Sequence, residues 1–345
     1  MAENGFENFK FYYYNPSIPG GIIFTVLFGL LFFLQFGSTL YSFITIFKKR
    51  PLGYGRKLEE RSNSTNQIER QAKSKFKYGG TSIIYILLPF FIGLACEFVA
   101  HIARAASHNN IESRNLYIIQ TLLMLIAPPL FSATLYMTFG RLVTYVLKNE
   151  KYLLLYPKYI TKICVAGDVF SLLLQAGGGG MLATVETVPS NYQLGQNIIL
   201  GGLGVQILFF GFFVVVEVTY FIRLSRNLQL TSYNSTVLNG NLKRFPNKLQ
   251  TWRTILLSLF ICSIFVLIRS VFRIVEFKEE RGGYISSNEW CIYIFDSLMM
   301  LLNGILFVSQ DISSYFLKAI PITWQDQDSL VTEDTSVKEL DELNQ

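Results

Sequence analysis

Charge is scarce in this chain. Of its 345 residues 16% are charged, where a soluble domain carries roughly 25%, and the charges fall in clumps separated by long bare stretches. Histidine is scarcer still, with only His101 and His108. A catalytic zinc normally takes three protein ligands, often histidines, so the sequence gives no support to a three-histidine intramembrane hydrolase. The four cysteines, Cys96, Cys164, Cys262 and Cys291, form no CxxC pair and suggest no bridging. There is no phosphate-binding GxxxxGK[ST] segment, so transport powered by ATP through that fold is excluded. No GxSxG nucleophile elbow occurs either. The chain is not expected to be an enzyme, and no cofactor or metal is implied.

What the chain has is apolar length. Hydrophobic residues make up 51% and aromatics 15%, with a mean hydropathy of +0.35. These values exclude a disordered chain, a coiled coil and a disulfide scaffold. A helix needs about 20 mostly apolar residues to cross a bilayer. Seven such stretches are present, at about 20–47, 80–103, 116–140, 163–185, 196–222, 254–275 and 290–310. They are long and continuous, without the ten-residue alternation of barrel strands. The expected fold is therefore an all-α, seven-transmembrane-helix bundle. The first stretch has no basic region before it and is too long for a cleavable signal peptide.

Lysine and arginine set the orientation. Residues 48–78 hold ten, 141–162 five, 223–253 six and the tail after 310 two. With seven spans these segments share one side and total 23, against five on the other side. The N-terminus, residues 1–19, is expected outside, and the acidic tail, residues 311–345, in the cytoplasm. That tail reads as disordered, with Ser and Thr open to phosphorylation and to cytoplasmic regulators. The net charge of +6 is then loop charge beside anionic lipid, and no nucleic-acid partner is expected. The sequons at Asn63 and Asn234 fall in cytoplasmic loops and should stay unglycosylated.

Ionisable groups inside a membrane are costly and face the bundle interior. Their spacing here follows the helix period. Glu97, His101 and Arg104 share a face of helix 2, and Arg269, Arg273 and Glu276 share one of helix 6. Glu289, Asp296 and Asn303 are seven apart on helix 7. Glu97, His101, Arg104, Arg269, Arg273, Glu276 and Asp296 all fall in the outer half, and their charges cancel with His neutral. Asp168, Gln175, Glu217 and Arg141 form a second, inner polar cluster. Two readings stay open: mutual pairing that fixes the helices, or a site for a ligand or lipid headgroup. Gly177–Gly180 on helix 4 suggests close helix contact or a locally unwound segment. Ala127-Pro128-Pro129 should kink helix 3.

Taken in order, these residues resemble a known pattern. The elements are Glu97-Phe-Val-Ala-His-Ile-Ala-Arg104, Ala127-Pro128 with Tyr136-Met137 and Gly140-Arg141, and Gly167-Asp168 with Ser171, Gln175 and the glycine run. They continue with Gly202-Leu203 and Gln206, Arg269-Ser-Val-Phe-Arg273-Ile-Val-Glu276, Gly282-Gly283, Glu289-Trp290, Tyr293 and Asp296. The chain resembles, over about 80–311, the fungal lipid-translocating exporter family (RTA1-like). That resemblance implies release of sphingoid long-chain bases, resistance to toxic amphiphiles and a multi-pass place in the plasma membrane. The endoplasmic reticulum and vacuole stay open, as do amino-sterols and porphyrins as substrates. One departure is Ala100-His101, where the family usually shows Gly-Tyr.

The implied activity makes physical sense. Drawing about sixteen methylenes into water would cost on the order of 13 kcal/mol, at roughly 0.8 per CH₂. A translocator avoids this by leaving the tail in lipid and shielding only the headgroup. Glu97, Asp296 and Glu276 would receive an amine on the outer side, and Asp168 and Glu217 on the inner side. A proton gradient acting through Asp168 or Glu217 is one energy source, and downhill flow another. The competing function is a seven-helix lipid sensor that acts on other transporters. The N-out layout, Arg141 and the acidic tail suit it.

Overall fold

The computed structural model describes residues 16–48, 66–109, 113–147, 153, 155–183, 191–226, 252–279, 283–310, 312 and 316. Among the described residues, seven helices are long and apolar enough to cross a membrane. We number them α1 (Ile18–Lys48), α2 (Asn66–Ser107), α3 (Arg114–Arg141), α4 (Pro157–Ala183), α5 (Asn191–Arg226) and α6 (Trp252–Lys278). The seventh, α7 (Glu289–Ser309), follows a single helical turn at Tyr284–Ser287. Among the described residues there is no strand. The all-α seven-helix expectation holds. The N-terminal segment, the acidic tail apart from 312 and 316, and the sequons at Asn63 and Asn234 lie outside the described residues.

The burial pattern is inverted relative to a soluble protein. Glu97, His101, Arg104, Asp168, Glu217, Arg269, Arg273 and Asp296 are all buried, while Phe33, Leu173, Leu208 and Val215 are at least 60% exposed. Apolar faces turned outward and polar groups turned inward are what a lipid solvent selects. The chain is a multi-pass membrane protein.

Each helix runs against the one before it, and α7 closes the bundle against α1. Gly21 at the start of α1 lies on Ala105 near the end of α2, and Gly140 at the end of α3 meets Thr161 and Pro157 at the start of α4. Gly178 on α4 meets Gly195 on α5, and the Gln196 amide donates to the Phe277 carbonyl on α6. On α7, Tyr293 covers Gly20, and Gly304 sits on Leu31, both in α1. The α3–α5 contact is aromatic. Phe213 stands at 90° to Phe139 with centroids 5.5 Å apart, and Tyr136 is 4.6 Å from Phe213.

The glycine run stays helical and is not an unwound segment. Its use is close approach, and one glycine carries it. A Cβ at Gly178 would lie 2.6 Å from the Gly195 carbonyl oxygen, whereas Gly177 and Gly180 have nothing within 4 Å. Two helical turns away, a Cβ at Gly202 would lie 3.0 Å from the Ser171 carbonyl. Small residues let backbones approach where lipid supplies no hydrophobic drive between helices.

Helix α3 continues through Pro128 and Pro129. Proline has no N–H, so Pro128 leaves the carbonyl four residues back, that of Met124, without its helical donor. The Arg269 guanidinium of α6 donates to that carbonyl through Nη2. The proline thus opens an acceptor that a neighbouring helix fills.

Candidate functional site

Two charged groups stand at the end of the bundle where α1 begins. The first is built on α6 and α7. Arg269 Nε donates to Asp296 Oδ1 at 2.6 Å, and Arg273 Nη2 donates to Asp296 Oδ2 at 2.5 Å. Arg273 Nη1 also donates to Glu276 Oε2 at 2.8 Å. The i, i+4, i+7 spacing on α6 is what lets Arg269 and Arg273 reach one carboxylate on the facing helix. Burial makes this geometry necessary, since a buried charge without a partner is strongly destabilising.

Glu97 of α2 lies close enough to Asp296, Arg269 and Arg273 to feel all three charges. Yet neither of its carboxylate oxygens accepts a hydrogen bond from the protein. Its backbone carbonyl accepts from His101 Nδ1–H at 2.8 Å, and its Oε2 is 3.7 Å from that nitrogen. Because a carbonyl can only accept, Nδ1 carries the proton. In the neutral ring, Nε2 then accepts from the Ser297 hydroxyl at 2.9 Å. Phe24 and Phe28 of α1 cover the imidazole at centroid distances of 5.4 and 5.2 Å.

The second group holds Arg104. Its Nη2 donates to Glu289 Oε1 at 3.0 Å and its Nε to the Tyr293 hydroxyl at 3.1 Å. Its guanidinium also lies 4.9 Å from the Tyr293 ring centroid. The Ser17 amide donates to both oxygens of Glu289 at 3.0 Å, and His108 Nδ1–H donates to the Pro16 carbonyl at 2.7 Å. Phe24 stacks on Tyr293 at 5.3 Å and 3°. Together these contacts tie the start of α1 to the ends of α2 and α7.

This pairing corrects the charge balance drawn from sequence. Arg104 had been counted against the carboxylates of the α6–α7 group, but it is neutralised by Glu289. That leaves Glu97, Asp296 and Glu276 facing Arg269 and Arg273, three acids against two bases. With every carboxylate ionised the group is one negative charge in surplus, and Glu97 is the member without a donor.

A π-helical turn at Tyr293–Ser297 shapes both groups. With more residues per turn than an α-helix, it presents Tyr293 to Arg104, Asp296 to α6 and Ser297 to His101. Such turns recur at functional sites. Tyr293 and Glu289 carry a visible i, i+4 signal, and their role was legible only as a motif match. Nothing in the sequence marks Ser297, and while Pro128 marks the Met124 carbonyl as lacking its helical donor, nothing marks Arg269 as the group that fills it.

The inner residues do not gather into one cluster. Asp168 lies on the α3–α4 seam beside the Tyr136 hydroxyl and the Cys164 thiol, and neither of its oxygens has a hydrogen bond of normal geometry. Gln175 lies on the α4–α5 seam. Its amide donates to Ser171 Oγ at 2.7 Å and to Gln206 Oε1 at 3.0 Å, and Ser171 Oγ donates to the Gly202 carbonyl at 2.8 Å. Glu217 lies on the α5–α6 seam, where Oε2 accepts from the Ser263 hydroxyl at 2.9 Å and Oε1 has no donor. Among the described residues, no hydrogen bond or ion pair joins Asp168, Gln175 and Glu217 to one another. Arg141 is half-buried at the end of α3, beside a second π-helical turn at Leu142–Leu147.

The unused capacity is lopsided. Glu97, Asp168, Glu217 and Gln175 together leave six buried acceptor oxygens without a hydrogen bond of normal geometry, against three leftover donors beside them, Arg269 Nη1, Gln206 Nε2 and the Tyr136 hydroxyl. A molecule bringing N–H or O–H donors and positive charge suits such an interior better than an anion does.

Comparison with known proteins follows the same residues. Residues 90–319 match the family model described as RTA1 like protein. The chain is 32% identical to protoporphyrin uptake protein 1 of Saccharomyces cerevisiae over 311 residues, covering 90% of this chain and 93% of that protein. It is 34% identical to Protein RTA1 of the same species over 308 residues, covering 89% and 86%. It is 23% identical to the sphingoid long-chain base transporter RSB1 of Saccharomyces cerevisiae over 294 residues, covering 70% and 77%. No solved structure matches it significantly. The likeness thus reaches beyond the 80–311 core that the motifs mark, and the chain belongs to the RTA1-like protein family.

Proposed function

We propose that this protein moves amphiphilic lipids across the membrane, with sphingoid long-chain bases as the leading substrate class. The observation that carries this reading is Glu97, a fully buried carboxylate without a protein donor, inside a charge group with one acid in surplus. A cationic amine supplies both the missing charge and the missing donors. Substrate hydroxyls suit the remaining acceptor oxygens, and the alkyl tail stays in lipid along the outward apolar faces.

A relative's name points to protoporphyrin, and the interior bears on that choice. Protoporphyrin is a dicarboxylic acid and needs open cationic donors. Asp296, Glu276 and Glu289 already engage the three buried arginines. An amine is the better electrostatic match. Resistance to toxic amphiphiles follows from the same action at the plasma membrane, with the N-terminus outside and the Glu97 group facing the outer leaflet.

Release of a labelled sphingoid base from cells tests the reading. Cells carrying the protein should release more base than cells without it. Glu97→Gln should cut that gain about tenfold or more, the scale of one charge-assisted hydrogen bond of ~1.5–3 kcal/mol. Normal release from a correctly localised Glu97→Gln protein would refute the headgroup role.

A further inference from the structure

The interior holds four buried acids at bilayer depth, and they fall into two kinds. Asp296 is clamped by two guanidiniums and Glu97 lies in the same field. Asp168 and Glu217 are different. Around Asp168 stand the Tyr136 hydroxyl from α3 and the Cys164 thiol from its own helix, and the Cys164 thiol itself points to the Phe209 carbonyl of α5 at 3.9 Å. Around Glu217 stand the Ser263 hydroxyl and the Cys262 thiol of α6, and behind Cys262 the Asn303 amide of α7 donates to the Cys262 carbonyl at 3.3 Å. No charged side chain among the described residues faces either acid.

An isolated carboxylate in such surroundings is too costly to persist. Each site has two ways to be neutral: the carboxyl holds a proton, or the carboxylate holds a bound cation. The surroundings do not support both at once, since a protonated carboxyl offers a cation no charge. Neither can they support an empty anion.

We propose that Asp168 and Glu217 are stations at which an organic cation headgroup replaces a proton, so that the protein exchanges amphiphilic cations for protons. This rests on the headgroup reading given above and adds its energy source. The step balances at each carboxyl. The O–H bond breaks, the proton leaves to water, and the carboxylate oxygens pair with the arriving cation. When the cation departs on the other side, the carboxylate takes a proton from that side. One proton crosses against each cation handled by a station. Asp296 is not a station, because its two arginines keep it ionised whether or not a headgroup is near.

The test uses the purified full-length protein and dodecyltrimethylammonium, a permanent cation that has no proton of its own to carry. Binding is followed in a weakly buffered solution with a pH indicator. The wild type should release about one proton for each cation bound at a station. Asp168→Asn with Glu217→Gln offers a cation no charge at either station, so binding should persist only at the Glu97 group, with at least a tenfold loss of proton release. The conservative pair Asp168→Glu with Glu217→Asp should restore release, which separates titration from packing. In vesicles, an acid lumen should drive uptake of the same cation, and the neutral pair should make uptake blind to the gradient. Binding and uptake without proton movement would overturn this proposal and leave the headgroup reading intact. Absence of both binding and uptake would overturn both.

Discussion

Arg269 donates to the carbonyl of Met124, the acceptor that Pro128 deprives of its helical N–H. The same side chain donates to Asp296, so one arginine joins α3, α6 and α7. Pro128→Ala restores the internal donor and makes the arginine redundant at that carbonyl. The cost of Arg269→Gln should therefore be smaller in the Pro128→Ala background than in the wild type, by about 1–3 kcal/mol. Thermal unfolding of the four proteins in one detergent measures this coupling, and strict additivity would contradict it.

The two carboxylates of the α6–α7 group should behave oppositely on neutralisation. Asp296→Asn takes from two buried guanidiniums the carboxylate they share, leaving Arg269 without an ion-pair partner, a loss of roughly 3–5 kcal/mol. Glu97→Gln strands no donor, so its stability should stay within about 1 kcal/mol of wild type. The pair of melting curves checks this. Equal losses would mean that Glu97 is structural.

The glycine run offers a contrast within four residues. Gly178→Ala places a Cβ 2.6 Å from the Gly195 carbonyl and must push α4 from α5. Gly177→Ala and Gly180→Ala meet open space and should be neutral or slightly stabilising, because alanine favours the helix by about 1 kcal/mol. Folded yield and melting temperature separate these outcomes. A silent Gly178→Ala would contradict the close packing.

Orientation has its own check. With the N-terminus outside, Asn63 and Asn234 face the cytoplasm. Glycosidase treatment should leave the mobility of the protein unchanged. A shift traced to either asparagine would reverse the orientation.

Much of this was legible in the sequence, for identifiable reasons. Seven bare apolar runs dictate seven spans, because a bilayer leaves the backbone little alternative to helix. The i, i+4, i+7 spacing placed Glu97, His101 and Arg104 on one face, and Arg269, Arg273 and Glu276 on another. Partner choice was not legible. Arg104 binds Glu289, not the Asp296 group, because the π-helical turn at Tyr293–Ser297 alters the angular order on α7, and no residue pattern announces that turn. Asp168 and Gln175 are separated by two turns of α4, about 10 Å along its axis, and they and Glu217 face different neighbours, since helix rotation follows from packing around Gly167, Gly178 and Gly202. The Met124 carbonyl follows from Pro128, which removes its helical donor, but its partner Arg269 was not legible, because the facing of α6 on α3 is set by packing.

The function proposed for this protein is direct movement of amphiphilic cations. Its most direct test is uptake of a labelled sphingoid base into vesicles reconstituted with the purified protein alone. Uptake should stand well above that of protein-free vesicles and fall about tenfold or more with Glu97→Gln. No uptake by a folded, correctly inserted protein, alongside intact release from cells, would contradict it and identify the chain as a lipid sensor that acts through another transporter.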